Sequence, residues 1–265
     1  MDDLAVTLIQ TFLYWEDPVK NIEHFSHLLD RIEGHPDLIL LPEMFNTGFS
    51  INPLVCAEEM DGPSVRFLCT ESASRNVIIM ATLLIRDKDQ FYNRLVCVFP
   101  DGSIQTYDKR HLFRLSEEYR ILNAGNSRKV FEIKGWKIMP LICYDLRFPV
   151  WTRNSYKDGR YEYDALVCLA NWPESRQHVW EILLKARAME NQAFFLGVNR
   201  IGLDGHGTNH TGDSLVADAR GNVMMKAATG KEVIETISLS YLDLQMFRES
   251  FTVGLDWDQF SLNQT

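Results

Sequence analysis

The stretch MPLICYDLRFP, residues 139–149, decides how the rest of the chain reads. A short apolar run climbs to Cys143 and is broken at once by Tyr-Asp-Leu-Arg. A strand that stops on a thiol fixes the sulfur in place and leaves polar residues behind it. In α/β folds, ligands collect beyond the carboxyl ends of the strands. Two other strand exits carry reactive groups. LILLPE (38–43) ends on Glu43, with Pro42 stopping regular pairing. TYDKRHLF (106–113) sets Lys109 in a polar break just before His111. A carboxylate to take the thiol proton, a thiol to attack and a cation to hold the oxyanion are the parts of acyl transfer through a thioester. Each residue also has a bland reading. Free cysteines are commonly buried and inert, and isolated Glu and Lys are usually solvated. His111 is a rival base for a Cys-His pair. Spacing alone makes a candidate and leaves the choice open.

Working outward, apolar β-rich runs recur at 4–12, 38–43, 77–85, 94–99, 137–144, 164–172, 193–199, 213–218 and 232–239. Several are continuous rather than alternating, as expected for strands covered on both faces. Helical spacing predicts helices over 17–33, 62–76 and 176–192; in the first, Val19, Ile22, Phe25, Leu28, Leu29 and Ile32 recur after an Asp17-Pro18 start signal. The strands 77–85 and 91–99 meet at the polar turn RDKDQ. This alternation predicts an α/β chain with mixed sheets. At 265 residues, with no linker, repeat or composition shift, one domain is expected over 1–265. The polar and aromatic tail from about 243 to 265 is expected to lie on another surface, as a subunit contact or a loosely held end.

Composition narrows the function classes. The net charge of −9 offers no basic footprint for nucleic acid, so a small soluble ligand is the expected partner. No apolar run approaches the roughly 18 residues of a membrane span. Five scattered cysteines (Cys56, Cys69, Cys97, Cys143, Cys168) without a CxxC pair argue against a disulfide framework or zinc ribbon. Together with the acidic start MDDLAVTLIQ, they favour a reducing, cytoplasmic setting. Neither a metal nor a cofactor is expected.

Three segments taken together, LLPEMFNTGF (40–49), YDKRHLF (107–113) and LICYDLRFP (141–149), resemble the signature segments of the nitrilase (carbon–nitrogen hydrolase) superfamily, in the family order. LANWPESRQHVWEILLKARAMENQAFFLGVNR (169–200) and TGDSLVADARGNV (211–223) resemble its later blocks. CYDLRFP and DKRHLFR are most similar to the omega-amidase branch, whose enzymes hydrolyse the terminal amide of 2-oxoglutaramate, succinamate and similar acids. The resemblance implies a four-layer α-β-β-α sandwich and a homodimer packed through outer helices, with the tail as a plausible arm. It implies Glu43 as general base, Lys109 as oxyanion-stabilising lysine, Cys143 as nucleophile and the N–H of Tyr144 as a second oxyanion donor. The family's second glutamate falls on Glu117 or Glu118, with Glu118 favoured by its spacing to NAGN (123–126). Arg114, Arg147 and Arg200 are the candidate cations for a distal carboxylate, and Phe49, Phe113 and Trp172 the candidate walls. Asp145 and Arg147 read first as an acid–base pair beneath the nucleophile.

The rival readings are another carbon–nitrogen hydrolase (an N-carbamoyl amino acid amidohydrolase or an aliphatic amidase), a non-catalytic metabolite-binding module on the same fold, and a thiol redox sensor. The sensor usually needs a resolving cysteine near Cys143, and none is near it in sequence.

Overall fold

A computed structural model describes residues 1–262. Its strands are, in chain order, β1 (Leu4–Gln10), β2 (Leu38–Leu40), β3 (Ile78–Asp87), β4 (Gln90–Val98), β5 (Ile104–Asp108), β6 (Phe131–Ile133), β7 (Trp136–Ile142) and β8 (Tyr156–Lys157). They continue with β9 (Arg160–Tyr161), β10 (Ala165–Ala170), β11 (Phe194–Asn199), β12 (Ile201–Leu203), β13 (Asn209–Thr211), β14 (Leu215–Ala217), β15 (Val223–Lys226) and β16 (Val233–Leu239). Two six-stranded sheets result, ordered β16-β1-β2-β3-β4-β5 and β15-β14-β11-β10-β7-β6. The pairs β8–β9 and β12–β13 form small hairpins.

The first sheet shows why its strands are apolar without a break. Side chains alternate across a strand. Val6, Leu8, Leu38, Leu40, Met80, Leu95 and Cys97 face a core shared with the second sheet. Ile9, Ile39, Ile79, Ala81, Leu83, Val96 and Val98 face a separate core with helices Pro18–Asp30 and Pro63–Arg75. Both faces are covered, so both phases of the alternation must be apolar. The second sheet is covered outside by helix Gln177–Asn191, through Trp180, Leu184 and Ala188. The four layers are helix, sheet, sheet and helix.

The helix boundaries have local causes. Asp17 accepts the N–H of Lys20 at 3.1 Å, and Pro18 opens the first turn, where its missing N–H costs nothing. The helices Pro63–Arg75 and Gln177–Asn191 each end at a left-handed residue, Asn76 (φ 51°) and Gln192 (φ 46°). Phe25, Leu28 and Leu29 are fully buried beneath the first helix. Each such side chain is worth about 1.5–3 kcal/mol of burial.

Parallel pairing links β1 to β2, β2 to β3, β7 to β10 and β10 to β11. Two antiparallel steps, β3 to β4 and β4 to β5, return β5 to the direction of β3. The chain therefore leaves β2 and β5 at the same end of the first sheet, and leaves β7 and β10 at one end of the second. Pro140 is tolerated within β7 because β6 is paired only as far as Ile138.

The end of the chain departs from expectation. The reading of a loose tail from about 243 is revised, because Tyr241–Ser250 is a helix capped by Ser240. Buried Arg248 docks it onto the second sheet through Asp164 (2.7 Å), Tyr163 O (2.8 Å) and Gln192 O (3.0 Å). Beyond it, Trp257 packs on Tyr161 and under Arg153. Residues 263–265, the end of the expected arm, lie outside the described residues. Among the described residues no helix is long and apolar enough to cross a membrane.

Candidate active site

Four strand exits converge. Glu43 follows β2, Lys109 follows β5, Cys143 follows β7 and Asn171 follows β10. Glu43 is completely buried, and each of its oxygens is engaged. Oε1 accepts Lys109 Nζ at 3.0 Å and Asn93 Nδ2 at 2.8 Å, while Oε2 accepts the N–H of Asn171 at 2.8 Å. Asn171 Nδ2 returns a bond to the carbonyl of Glu43 at 2.6 Å, tying one sheet to the other.

Lys109 lies between two carboxylates, since its ammonium also meets Glu118 at 2.9 and 3.1 Å. It sits 5.0 Å from the ring centre of Phe49. The backbone at Lys109 is clamped by Asn93 O and the N–H of Gly125. A Cβ at Gly125 would stand 2.1 Å from Asp108 O, so only glycine allows that approach. Glu118, not Glu117, is the glutamate that meets Lys109 beside Glu43. Its Oε2 also accepts the N–H of Phe113 at 2.6 Å, whereas Glu117 is exposed and pairs with Arg120.

Cys143 has φ 42°, a left-handed conformation that a non-glycine residue adopts at a cost of order 1–3 kcal/mol. It opens a tight turn, Cys143–Arg147. The buried carboxylate of Asp145 holds that turn. Oδ2 accepts the N–H of Ile142 (3.1 Å) and the hydroxyl of Tyr107 (2.8 Å). Oδ1 accepts the N–H of His111 (2.9 Å) and contacts its Nδ1 (2.7 Å). One carboxylate thus joins the nucleophile turn to the segment after Lys109. The expected Asp145–Arg147 pair is not formed, and His111, stacked on Phe148, is bound to Asp145 rather than set beside the thiol. As second residue of the turn, Tyr144 has an N–H outside the turn's own bonding ladder.

The electrostatics follow from burial and from two acids against one base. Desolvation, then the charge of Glu43, push the Cys143 thiol well above its ordinary pKa, and Lys109 only partly opposes them. Burial would lower Lys109, but Glu118 and Glu43 outweigh it and hold the ammonium charged. Burial also raises Glu118, against the pull of Lys109. Burial and the two acids therefore favour the protonated thiol over the thiolate.

Glu43, Lys109, Cys143 and Asn171 floor a cavity of about 430 Å³, within the range of small-ligand sites. Phe49, Phe113, Trp172 and Arg147 line it, as does Arg176, which sequence reasoning missed. Arg114 and Arg200 do not line it, and both are withdrawn as candidate cations. Arg114 lies over the ring of Tyr119 in a neighbouring depression. Arg200 is fully buried, with Nε on the carbonyl of Ile201, Nη2 on that of Leu203 and Nη1 without a partner among the described residues. Asn93 and Asn171 were also missed. Their one signal was a polar residue inside or just after a strongly apolar run. Among the described residues no group of three or more His, Cys, Asp or Glu could hold a metal.

The family described as Carbon-nitrogen hydrolase matches residues 5–249. The chain is 42% identical to the omega-amidase YafV of Yersinia enterocolitica, over 99% of this chain and all of that protein. It is 32% identical to the 2-oxoglutaramate amidase of Bacillus subtilis, over 91% of each. Among solved structures it is similar to a CN-hydrolase superfamily protein of Xanthomonas campestris with an arsenic adduct in its active site. There the TM-score is 0.96 at 40% identity, covering 99% of this chain and 100% of that one.

Proposed function

Because the chain belongs to the carbon–nitrogen hydrolase family, we propose that it is an omega-amidase. It hydrolyses the terminal amide of small dicarboxylic acid monoamides, 2-oxoglutaramate and succinamate, to the acid and ammonia. The observation that carries the reading is the buried Glu43–Lys109 pair, backed by Glu118, on the floor that also holds Cys143.

The proposed cycle balances through one proton carrier. Glu43 accepts the thiol proton as Cys143 sulfur bonds to the amide carbon, and the carbonyl oxygen becomes an oxyanion facing Lys109 and the N–H of Tyr144. Glu43 returns the proton to nitrogen, the C–N bond breaks and ammonia leaves a thioester. Water then gives a proton to Glu43 and attacks the same carbon. The C–S bond breaks, the acid leaves, and the sulfur recovers its proton from Glu43. Because burial and the acids favour the protonated thiol, the base serves attack as well as hydrolysis. General-base action is worth about 10² to 10⁴ in rate, and one oxyanion donor about 2.7–4 kcal/mol. Glu118 keeps the ammonium charged and placed. Phe49, Phe113 and Trp172 wall the substrate, and Arg147 is a cation within reach of its far end.

The whole chain, 1–265, acts in this reading as one domain, in the cytoplasm and as a homodimer. Five free thiols among the described residues support the reducing setting. Exposed Ile182 and Met189 on the outer helix support the pairing. The acidic net charge argues against nucleic acid as a partner.

The test is ammonia release from 2-oxoglutaramate and succinamate by the wild type and by Cys143→Ala. Release by the wild type alone is expected, with the variant at background. Carbon dioxide with ammonia from N-carbamoyl amino acids, and nothing from the two acids, would move the assignment to the carbamoyl route.

A further inference from the structure

Two guanidinium groups reach the pocket, and neither is matched by a carboxylate. Arg147 lies 4.8 Å over the ring of Trp172, and Arg176 lies 5.4 Å over the ring of Phe113. Among the described residues neither side chain makes an ion pair or a hydrogen bond. Several other arginines set into the fold are matched by acids, although buried Arg200 meets only carbonyls. Arg94 has Asp108 and Asp87, Arg187 has Glu190, and Arg248 has Asp164.

Arg176 is held in place by everything except an anion. It closes the short turn Glu174–Arg176, donates its N–H to Pro173 O at 3.0 Å, and accepts Trp172 Nε1 on its carbonyl at 2.8 Å. Trp172 therefore carries Arg147 on its face and fixes the backbone of Arg176 from its edge. The ring beneath Arg176 is also anchored, because the N–H of Phe113 is bound to Glu118 and its ring packs on Tyr144. Arg176 spans from the wall at 172–176 to the wall at 113–116.

A guanidinium held over an aromatic ring is attracted to its face without using a hydrogen bond, so the N–H donors of both arginines are unspent. Those donors match a carboxylate in a two-point, charge-assisted bond. Asp204, a carboxylate that also lines the pocket, does not supply that partner. Its Oδ1 accepts the N–H groups of His206 and Thr208, and it makes no ion pair with either arginine. We infer that Arg176 is a specificity-determining residue that takes the distal carboxylate of the substrate, with Arg147 as the second cation, so that the pocket selects amides ending in an anion. The inference rests on the amidase reading and adds to it the residue that makes the selection.

The experiment compares kcat and KM for succinamate and for butyramide, a neutral amide of the same chain length, in the wild type, Arg176→Met and Arg176→Lys. A hydrogen bond to a charged group is worth about 10- to 100-fold in binding. The ratio of kcat/KM between the two substrates should fall by about that factor in Arg176→Met, mainly through the KM of succinamate. Arg176→Lys should recover part of it, because the charge remains and the fork is lost. An unchanged ratio in Arg176→Met, or equal falls on both substrates, overturns the inference while leaving the amidase reading in place. A wild type that hydrolyses butyramide but neither succinamate nor 2-oxoglutaramate overturns the omega-amidase reading, and this inference with it.

Discussion

Two buried charge clusters of this molecule make a useful pair. At one, Arg248 is saturated by a single carboxylate and two carbonyls, and Asp164 spends its other oxygen on the N–H of Lys137 at 3.1 Å. One charge meets one charge. At the other, Lys109 is set between Glu43 and Glu118, with a thiol beside them whose ionisation both acids oppose. The side-chain oxygens of Asn93 and Asn171 are left there without a partner in the fold. The first cluster fastens a helix to a sheet. The second is overloaded with acceptors and negative charge, an arrangement that serves proton traffic better than stability. Buried charge means different things according to whether its bonding is complete.

The comparison breaks if removing Glu43 costs stability but not turnover. Glu43→Gln is expected to lower kcat by about 10² to 10⁴, the worth of a general base, while the protein stays folded. Steady-state ammonia release beside a thermal melt checks both halves. Arg248→Met should do the reverse. It leaves Asp164 buried and unpaired, which costs about 3–5 kcal/mol, with normal turnover per folded molecule. Urea unfolding and an active-site titration separate the two effects. Glu118→Gln sharpens the contrast with the smallest change. The amide oxygen keeps an acceptor for the N–H of Phe113, and the repulsion with Glu43 is relieved, so stability should move by less than about 1 kcal/mol. Turnover should fall about tenfold through a less well placed Lys109, read from kcat at saturating substrate.

Much of this was legible from the chain because hydrophobic burial writes itself into composition. The helices expected at 17–33, 62–76 and 176–192 stand at Pro18–Asp30, Pro63–Arg75 and Gln177–Asn191. The break after Ile142 marks a real strand exit. What stayed hidden depends on contacts distant in sequence. Helix Tyr241–Ser250 buries Leu244 and Arg248 but little else, so its helical spacing is faint. Asp145 was matched to its sequence neighbour Arg147, whereas its partners are Tyr107 on β5 of the other sheet and His111 in the segment that follows it. Arg200 looked like a free cation because nothing in its local sequence says that it is buried to the tip. Arg176 gave no signal at all, since a guanidinium over Phe113 is visible only once both walls of the pocket are assembled.

In the proposed cycle a protonated Cys143 depends on Glu43. The direct test is the rate of iodoacetamide alkylation at Cys143 from pH 6 to about 9.5, followed by mass mapping, in the wild type and Glu43→Gln. Because the thiol pKa is raised, its thiolate fraction should climb about tenfold per pH unit across the ordinary cysteine range near 8.5 without levelling. Glu43→Gln removes a charge that opposes the thiolate, so alkylation at neutral pH should be faster even as turnover collapses. A wild-type rate that levels off below pH 8, or a Glu43→Gln thiol that reacts more slowly than the wild type, would contradict the account.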